Sequence, residues 1–325
     1  MGFGDVSSRA GVRVRDNNAM SSASPREFQK PRSELTYYIV DVFTDAAFTG
    51  NPLAVVMNTA SLTTNQMQSI AREFNLSETT FVERREPQAE SREGVRVRIF
   101  TTQEELPFAG HPTLGTASVL RIKAPQTVID NTIRLALNVG AVPVRFDSNS
   151  SYAEMTQRDP EFGEELDAAE VAGLIGLDAH DLDPSLPPQI VSTGTAFAIV
   201  ALRAAESLAK LKVEPEASTA WLRSRGARWF YVLGPTGDSV PAWRARMQFN
   251  GGEDPATGSA SGCAISYLVQ RRAVPSGERI HLRQGVEMGR PSDLYLSAQL
   301  ANARVTDVRV GGSTVLVAEG RLFLS

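Results

Sequence analysis

Glu105-Leu106-Pro107-Phe108-Ala109-Gly110 and, 148 residues later, Glu253-Asp254-Pro255-Ala256-Thr257-Gly258 are the stretches whose comparison decides the fold. Both read Glu-x-Pro-x-x-Gly, and each runs into a segment of helical composition. Two further matches stand in the same order. Arg96-Val97-Arg98 aligns with Arg244-Ala245-Arg246 at the same offset of 148, and Thr49-Gly50-Asn51-Pro52-Leu53-Ala54-Val55-Val56 aligns with Thr193-Gly194-Thr195-Ala196-Phe197-Ala198-Ile199-Val200 at 144. Three matches in one order at nearly one offset indicate two duplicated halves, and a repeat this long means paired domains, not a solenoid.

Working outward, residues 112–122 and 259–269 follow the two glycines and read as helices. The second carries Ala260, Gly262, Cys263, Ala264, Ile265 and Leu268, small or apolar around much of its circumference, the composition of a helix enclosed by protein. Strand patterns surround the first helix at 37–43, 53–57, 79–83, 95–100, 132–138, 142–146 and 152–155, and a further helix is expected over 64–74, opening on a polar cap. The expected architecture is α+β, with two pseudo-symmetric lobes, each a curved, mostly antiparallel sheet or barrel wrapped around one central helix. The lobes are expected at 36–150 and 151–325, the C-terminal segment packing back on the first lobe. Residues 1–35, rich in Ser, Arg, Asn and Pro, read as a disordered leader. Arg9, Arg13 and Arg15 also fit a transit peptide, although Asp5 and Asp16 interrupt that pattern, and Met20 offers an alternative start.

Composition narrows the function. With 325 residues, 33 basic and 37 acidic side chains and a net charge of −4, the chain has no electrostatic footprint for nucleic acid. No apolar run approaches a membrane span, so neither nucleic acid nor membrane is an expected partner, and a cytoplasmic protein is. The Asn75-Leu76-Ser77 sequon is read as chance. One cysteine, Cys263, allows no intramolecular bridge and no Cys-rich metal site. The three histidines, His111, His180 and His281, are too dispersed for a histidine-rich metal site, which leaves only an all-carboxylate site open.

Each central helix starts beside a glycine, Gly110 or Gly258, so backbone can approach a ligand closely. Its first N–H groups are unpaired at the positive end of the helix dipole, a ready anion site. If both starts face one cleft, they can hold a small carboxylate-bearing molecule between the lobes. Glu105/Glu253, Pro107/Pro255 and Gly110/Gly258 are shared by the repeats, whereas Leu106 becomes Asp254 and His111 becomes Ser259. Scaffold residues match and titratable ones differ, as expected if the lobes took unequal roles in one asymmetric site. Gly110-His-Pro-Thr-Leu-Gly115-Thr116 lacks the lysine of a phosphate loop, and Gly258-Ser-Ala-Ser-Gly262 has alanine where a nucleophile elbow needs serine.

Asp41-Val42-Phe43-Thr44, Gly50-Asn51-Pro52-Leu53-Ala54-Val55, Asn75-Leu76-Ser77-Glu78-Thr79, Leu106-Pro107-Phe108-Ala109-Gly110-His111-Pro112-Thr113-Leu114-Gly115, Glu253-Asp254-Pro255-Ala256-Thr257-Gly258-Ser259-Ala260 and Gln284-Gly285-Val286-Glu287-Met288-Gly289-Arg290-Pro291 together resemble the PhzF family of phenazine-biosynthesis-type isomerases. The similarity covers roughly residues 36–325. It implies a diaminopimelate-epimerase-like fold, in agreement with the repeat. It also implies a proton shift between carbons of trans-2,3-dihydro-3-hydroxyanthranilate or a similar acid, without a cofactor, and a homodimer. The glutamate of the Asn-Leu-Ser-Glu motif, here Glu78, is then the general acid/base. The same resemblance carries His111 and Asp254 to the catalytic site, and Ser77, Ser259 and the backbone of Gly110 and Gly258 to substrate binding.

These residue types suit that chemistry. Moving a proton from a weakly acidic carbon needs a base held close to it, with a carboxyl pKa brought toward the working pH by burial. Either His111 or Asp254 could polarise the substrate or return a proton, while helix-start N–H groups hold its carboxylate. Shifting Glu78 by 144 to 148 residues lands on 222–226, where no residue can mirror a glutamate base, and neither helix start has the cysteine of thiol-based epimerases. Cys263 reads as a buried structural thiol. The sequence therefore predicts a one-base proton shift on one face of a small cyclic or unsaturated acid. An amino- or hydroxy-acid racemase using His111 or Asp254 as second base is the alternative, and a non-catalytic binding or scaffold protein a third.

Overall fold

The computed structural model describes residues 1–2, 33–238, 242–249 and 252–324, so the leader expected over 1–35 lies almost wholly outside the described residues. The first half runs β1 (Ser33–Val42), β2 (Asn51–Met57), α1 (Thr64–Phe74), β3 (Glu78–Glu83), α2 (Pro87–Glu93), β4 (Val95–Phe100), β5 (Glu105–Leu106), α3 (Gly110–Lys123), β6 (Thr132–Leu137), β7 (Gly140–Phe146) and β8 (Ala153–Thr156). The second runs β9 (Glu161–Glu165), α4 (Ala168–Leu174), β10 (Gln189–Ser192), β11 (Ala196–Ala201), α5 (Pro215–Ser224), β12 (Trp229–Pro235), β13 (Trp243–Arg246), β14 (Gln248–Phe249), β15 (Gly252–Glu253), α6 (Gly258–Gln270), β16 (Ile280–Gln284), β17 (Ser292–Ala301), β18 (Arg304–Gly312) and β19 (Thr314–Leu324).

The strand pairings repeat as the sequence does. In the first lobe β1 and β2 are antiparallel, β2 and β3 parallel, β3 and β4 antiparallel, β4 and β6 parallel, and β6, β7 and β8 antiparallel. The second lobe has the same series through β10, β11, β12, β13, β16, β17 and β18. The outer strand of the second series is β9, beside β10, whereas that of the first is the C-terminal β19, with Ser33 opposite Leu324 and Val42 opposite Thr314. The two series join where β8 pairs antiparallel with β18, Met155 opposite Val310. The α+β fold with two lobes around central helices is therefore present.

Both central helices are enclosed because they carry no polar face. Every residue of α3 from Gly110 to Leu120 is buried, as is nearly all of α6. At Gly115 an added Cβ would stand 2.7 Å from methyl groups of both Leu53 and Val42, so α3 lies directly on β1 and β2. The helices begin at Gly110 and Gly258 themselves, slightly earlier than the sequence pattern suggests. The strand expected through Phe43 stops at Val42, because Phe43 turns into the left-handed region at φ 64 and stays fully buried.

The matched residues of the repeat form matched contacts. Arg98 grips Glu105 through Nε (2.8 Å) and Nη2 (2.6 Å), and Arg246 grips Glu253 in the same two-pronged way (2.9 and 2.6 Å). Each fork ties β4 or β13 to the short strand that leads to a helix start. Helix α1 opens on a capping box between Thr63 and Gln66 and closes at Asn75 in the left-handed region, φ 52. That turn delivers Glu78 to the first position of β3. Among the described residues no helix is long and apolar enough to cross a membrane.

Candidate active site

The starts of α3 and α6 meet between the lobes. A Cβ on Gly110 would lie 3.0 Å from the Ser259 nitrogen and 3.1 Å from the Gly258 Cα, so this approach requires glycine. Neither start is capped by a side chain, the residues before them being Ala109 and Thr257, and the first N–H groups of a helix have no partner within it. Two positive helix ends thus converge on one place. Above them is a cavity of about 360 Å³, lined by both lobes. Glu78, Gly110, His111, Asp254, Gly258 and Ser259 all line it.

Glu78 and His111 face each other, with Oε2 3.5 Å from Nε2 and side chains 17% and 6% exposed. That separation is too long for a good hydrogen bond, and both atoms are buried without another partner. Two orphaned polar atoms on a cavity wall leave donor and acceptor capacity for a ligand. Burial pushes the Glu78 carboxyl up to about 8, with the negative charge of Asp254 adding to the shift and Arg228 opposing it. Burial pushes His111 down to about 3, so its imidazole is neutral.

Asp254, from the other lobe, is held quite differently. Its Oδ1 accepts from Asn51 Nδ2 (2.8 Å) and its Oδ2 from Thr257 Oγ1 (2.7 Å). Burial pushes its carboxyl up to about 6, less than Glu78, because Thr257, Asn51 and the Ala256 N–H stabilise the anion. Behind it Gln284 donates to the Asp254 carbonyl (2.8 Å) and to Thr257 Oγ1 (2.9 Å), and its Oε1 accepts from the Thr257 N–H (3.1 Å) and Tyr231 (2.9 Å). Asn51 also donates to the Ala256 carbonyl (2.9 Å), so a first-lobe side chain fixes the second-lobe helix start.

The match of the phenazine biosynthesis-like protein profile, PhzC-PhzF, to residues 40–320 agrees with this geometry. The chain belongs to the PhzC-PhzF family. Over 294 residues it is 35% identical to the trans-2,3-dihydro-3-hydroxyanthranilate isomerase of Pseudomonas aeruginosa, an alignment covering 89% of this chain and 99% of the relative. A solved structure from the same organism, described as a "predicted epimerase", is 35% identical with a TM-score of 0.75, covering 90% of this chain and 100% of that one. A PhzF family phenazine biosynthesis protein of Bacillus anthracis superposes with a TM-score of 0.80 at 24% identity, covering 90% and 100% of the two chains, which bears on the fold alone. With relatives named as isomerases at this similarity, the PhzF-family chain is an isomerase.

Of the residues singled out in this PhzF-family sequence, Glu78, His111, Asp254, Ser259, Gly110 and Gly258 come together at the cavity, whereas Ser77 is exposed and does not line it. Cys263 is fully buried on α6, its Sγ 3.5 Å from Thr193 Oγ1, and burial pushes its thiol up to about 11. Sequence reasoning missed Asn51 and Gln284 as supports, although both stand within motifs it had quoted. It also missed the mirror of Glu78. Leu53 faces Glu78 across β2 and β3, and Phe197, the repeat partner of Leu53, faces Trp229 across β11 and β12. The symmetry mate of Glu78 is therefore Trp229, not a residue of 222–226. An indole cannot act as a base, so the absence of an acidic mate survives the correction. Trp229 lines the cavity, with the guanidinium of Arg228 4.3 Å from its ring centroid.

Proposed function

We propose that this chain moves a proton between carbons of a small cyclic or unsaturated carboxylic acid, with Glu78 as general acid/base. The observation that carries the proposal is the Glu78 carboxyl, raised to about 8 by burial and facing a cavity into which two helix starts open. Near neutral pH such a carboxyl exchanges its proton readily, the condition for efficient general acid/base work. The carboxylate of Glu78 takes a proton from the substrate carbon, and the electron pair of that C–H bond spreads through the adjacent unsaturation toward the substrate carboxylate. Helix-start N–H groups stabilise that developing charge. The carboxylic acid so formed returns the proton to a second carbon on the same face. Neutral His111, whose Nε2 has no partner, hydrogen bonds to the substrate, and Asp254, locked by Asn51 and Thr257, orients a donor group of the substrate.

Because the P. aeruginosa relative is named for trans-2,3-dihydro-3-hydroxyanthranilate, that monocarboxylate is the first compound with which to test the proton shift itself. Turnover in deuterated water should place deuterium at a migrated position, and Glu78→Gln should lower kcat by at least about 100-fold, the scale of one general acid/base. Undiminished turnover by Glu78→Gln would overturn the assignment. The raised pKa of Asp254, about 6, supports a second reading as an amino- or hydroxy-acid epimerase, in which deuterium enters an inverted stereocentre instead.

A further inference from the structure

We propose that the substrate is a dicarboxylic acid, one carboxylate held at the two helix starts and the other by Arg158 and Arg228 on the second-lobe wall of the cavity. The proposal rests on the reading above for the first carboxylate and adds the second. Arg158 and Arg228 are the cationic side chains of that lining, His111 being neutral. Arg158 lies just beyond β8 and makes no ion pair or hydrogen bond with any described residue. Arg228 precedes β12 and lies over Trp229. It pairs with Glu104 of the first lobe at 3.1 Å, but these side chains are 48% and 58% exposed, so water and salt screen the contact and a ligand can replace Glu104 at little cost. The charge of Arg228 also reaches the reacting end, since it opposes the rise in the Glu78 pKa.

The helix starts and the two arginines are separate cationic features of one cavity, the helix ends worth roughly half a positive charge each, so a ligand with two carboxylates can engage both at once. Guanidinium groups suit a carboxylate by geometry as well as charge, presenting parallel N–H donors in a planar fork.

The test compares isophthalate with its isosteric monoanionic analogue 3-carbamoylbenzoate, in which a neutral amide replaces the second carboxylate, both measured by titration calorimetry. The wild-type protein should bind isophthalate at least about 10-fold more tightly, a difference of about 1.4 kcal/mol. In the Arg158→Gln/Arg228→Gln double variant that ratio should fall to about 2-fold or less. Equal affinities in the wild type, or a preference that persists in the double variant, would overturn the proposal. Glu78→Gln should keep the full preference for isophthalate, so loss of proton transfer in that variant bears on the catalytic assignment alone. Loss of the preference in Glu78→Gln would count against the dianion site.

Discussion

Replacing Glu78 by glutamine should make the protein more stable, increasingly so as pH rises. The Glu78 pKa is 4.5 when unperturbed and about 8 in the folded protein, so the folded state binds this proton more tightly than the unfolded chain does. The stability associated with that proton is complete below pH 4.5 and is lost as pH rises through about 8. Each pH unit within the interval removes about 1.4 kcal/mol, so the native glutamate costs about 3 kcal/mol at pH 7 and about 5 kcal/mol once fully ionised. Glutamine has the same shape, stays neutral and can donate its amide N–H to the orphaned His111 Nε2. At roughly 2 °C per kcal/mol for a chain of this size, Glu78→Gln should melt about 5 °C or more above the wild type at pH 8 and within about 1 °C of it at pH 4.5. Differential scanning calorimetry of both proteins from pH 4.5 to 8.5 would measure this. A Tm difference that does not change over that range, or that narrows with rising pH, would show that the carboxyl is not held against its ionisation and would remove the physical basis of its role as a base.

Asn51→Ala deletes a hydrogen bond that favours ionised Asp254, so the Asp254 pKa should rise further above about 6. On the acid side of kcat/KM, below the step set by Glu78 near 8, the second step belonging to Asp254 should then move upward by roughly one pH unit, and an unmoved second step would assign it to another group. The two arginine forks should differ in value despite their symmetry. Arg246 and Glu253 are 9% and 12% exposed, against 15% and 22% for Arg98 and Glu105, and Glu105 also accepts from Asn138 at 3.0 Å. Arg246→Met should therefore cost about 3 kcal/mol, with Arg98→Met costing about half of that, and equal losses of Tm would contradict this account.

Much of this arrangement is legible before folding, for identifiable reasons. The Glu-x-Pro-x-x-Gly repeat marks both helix starts because the same backbone problem, a strand turning into a buried helix against a symmetric copy, was solved twice with the same residues. The small and apolar composition of α6 identifies it as a central helix, the repeat assigns α3 the same place, and strand patterns identify most of the strands around them. A constant offset fails at the mirror of Glu78. Leu53 and Glu78 are 25 residues apart, whereas Phe197 and Trp229 are 32 apart, because α1 is replaced by a longer connection that includes α5. Strand register, not sequence distance, conserves the symmetry, so only the paired strands put Trp229 opposite the base.

The sequence by itself thus determined two related lobes, their central helices, the glycines between them and the residue types available for proton transfer, because each is written in local pattern or motif. Tertiary structure decided what those groups can do. Glu78 begins a strand after a polar turn, and nothing local distinguishes it from a solvated glutamate. Its affinity for a proton comes from desolvation by the opposing lobe and from the nearby charge of Asp254, a residue 176 positions away. Desolvation and Coulomb interaction act through space, and closure of the two lobes brings these groups into one cavity.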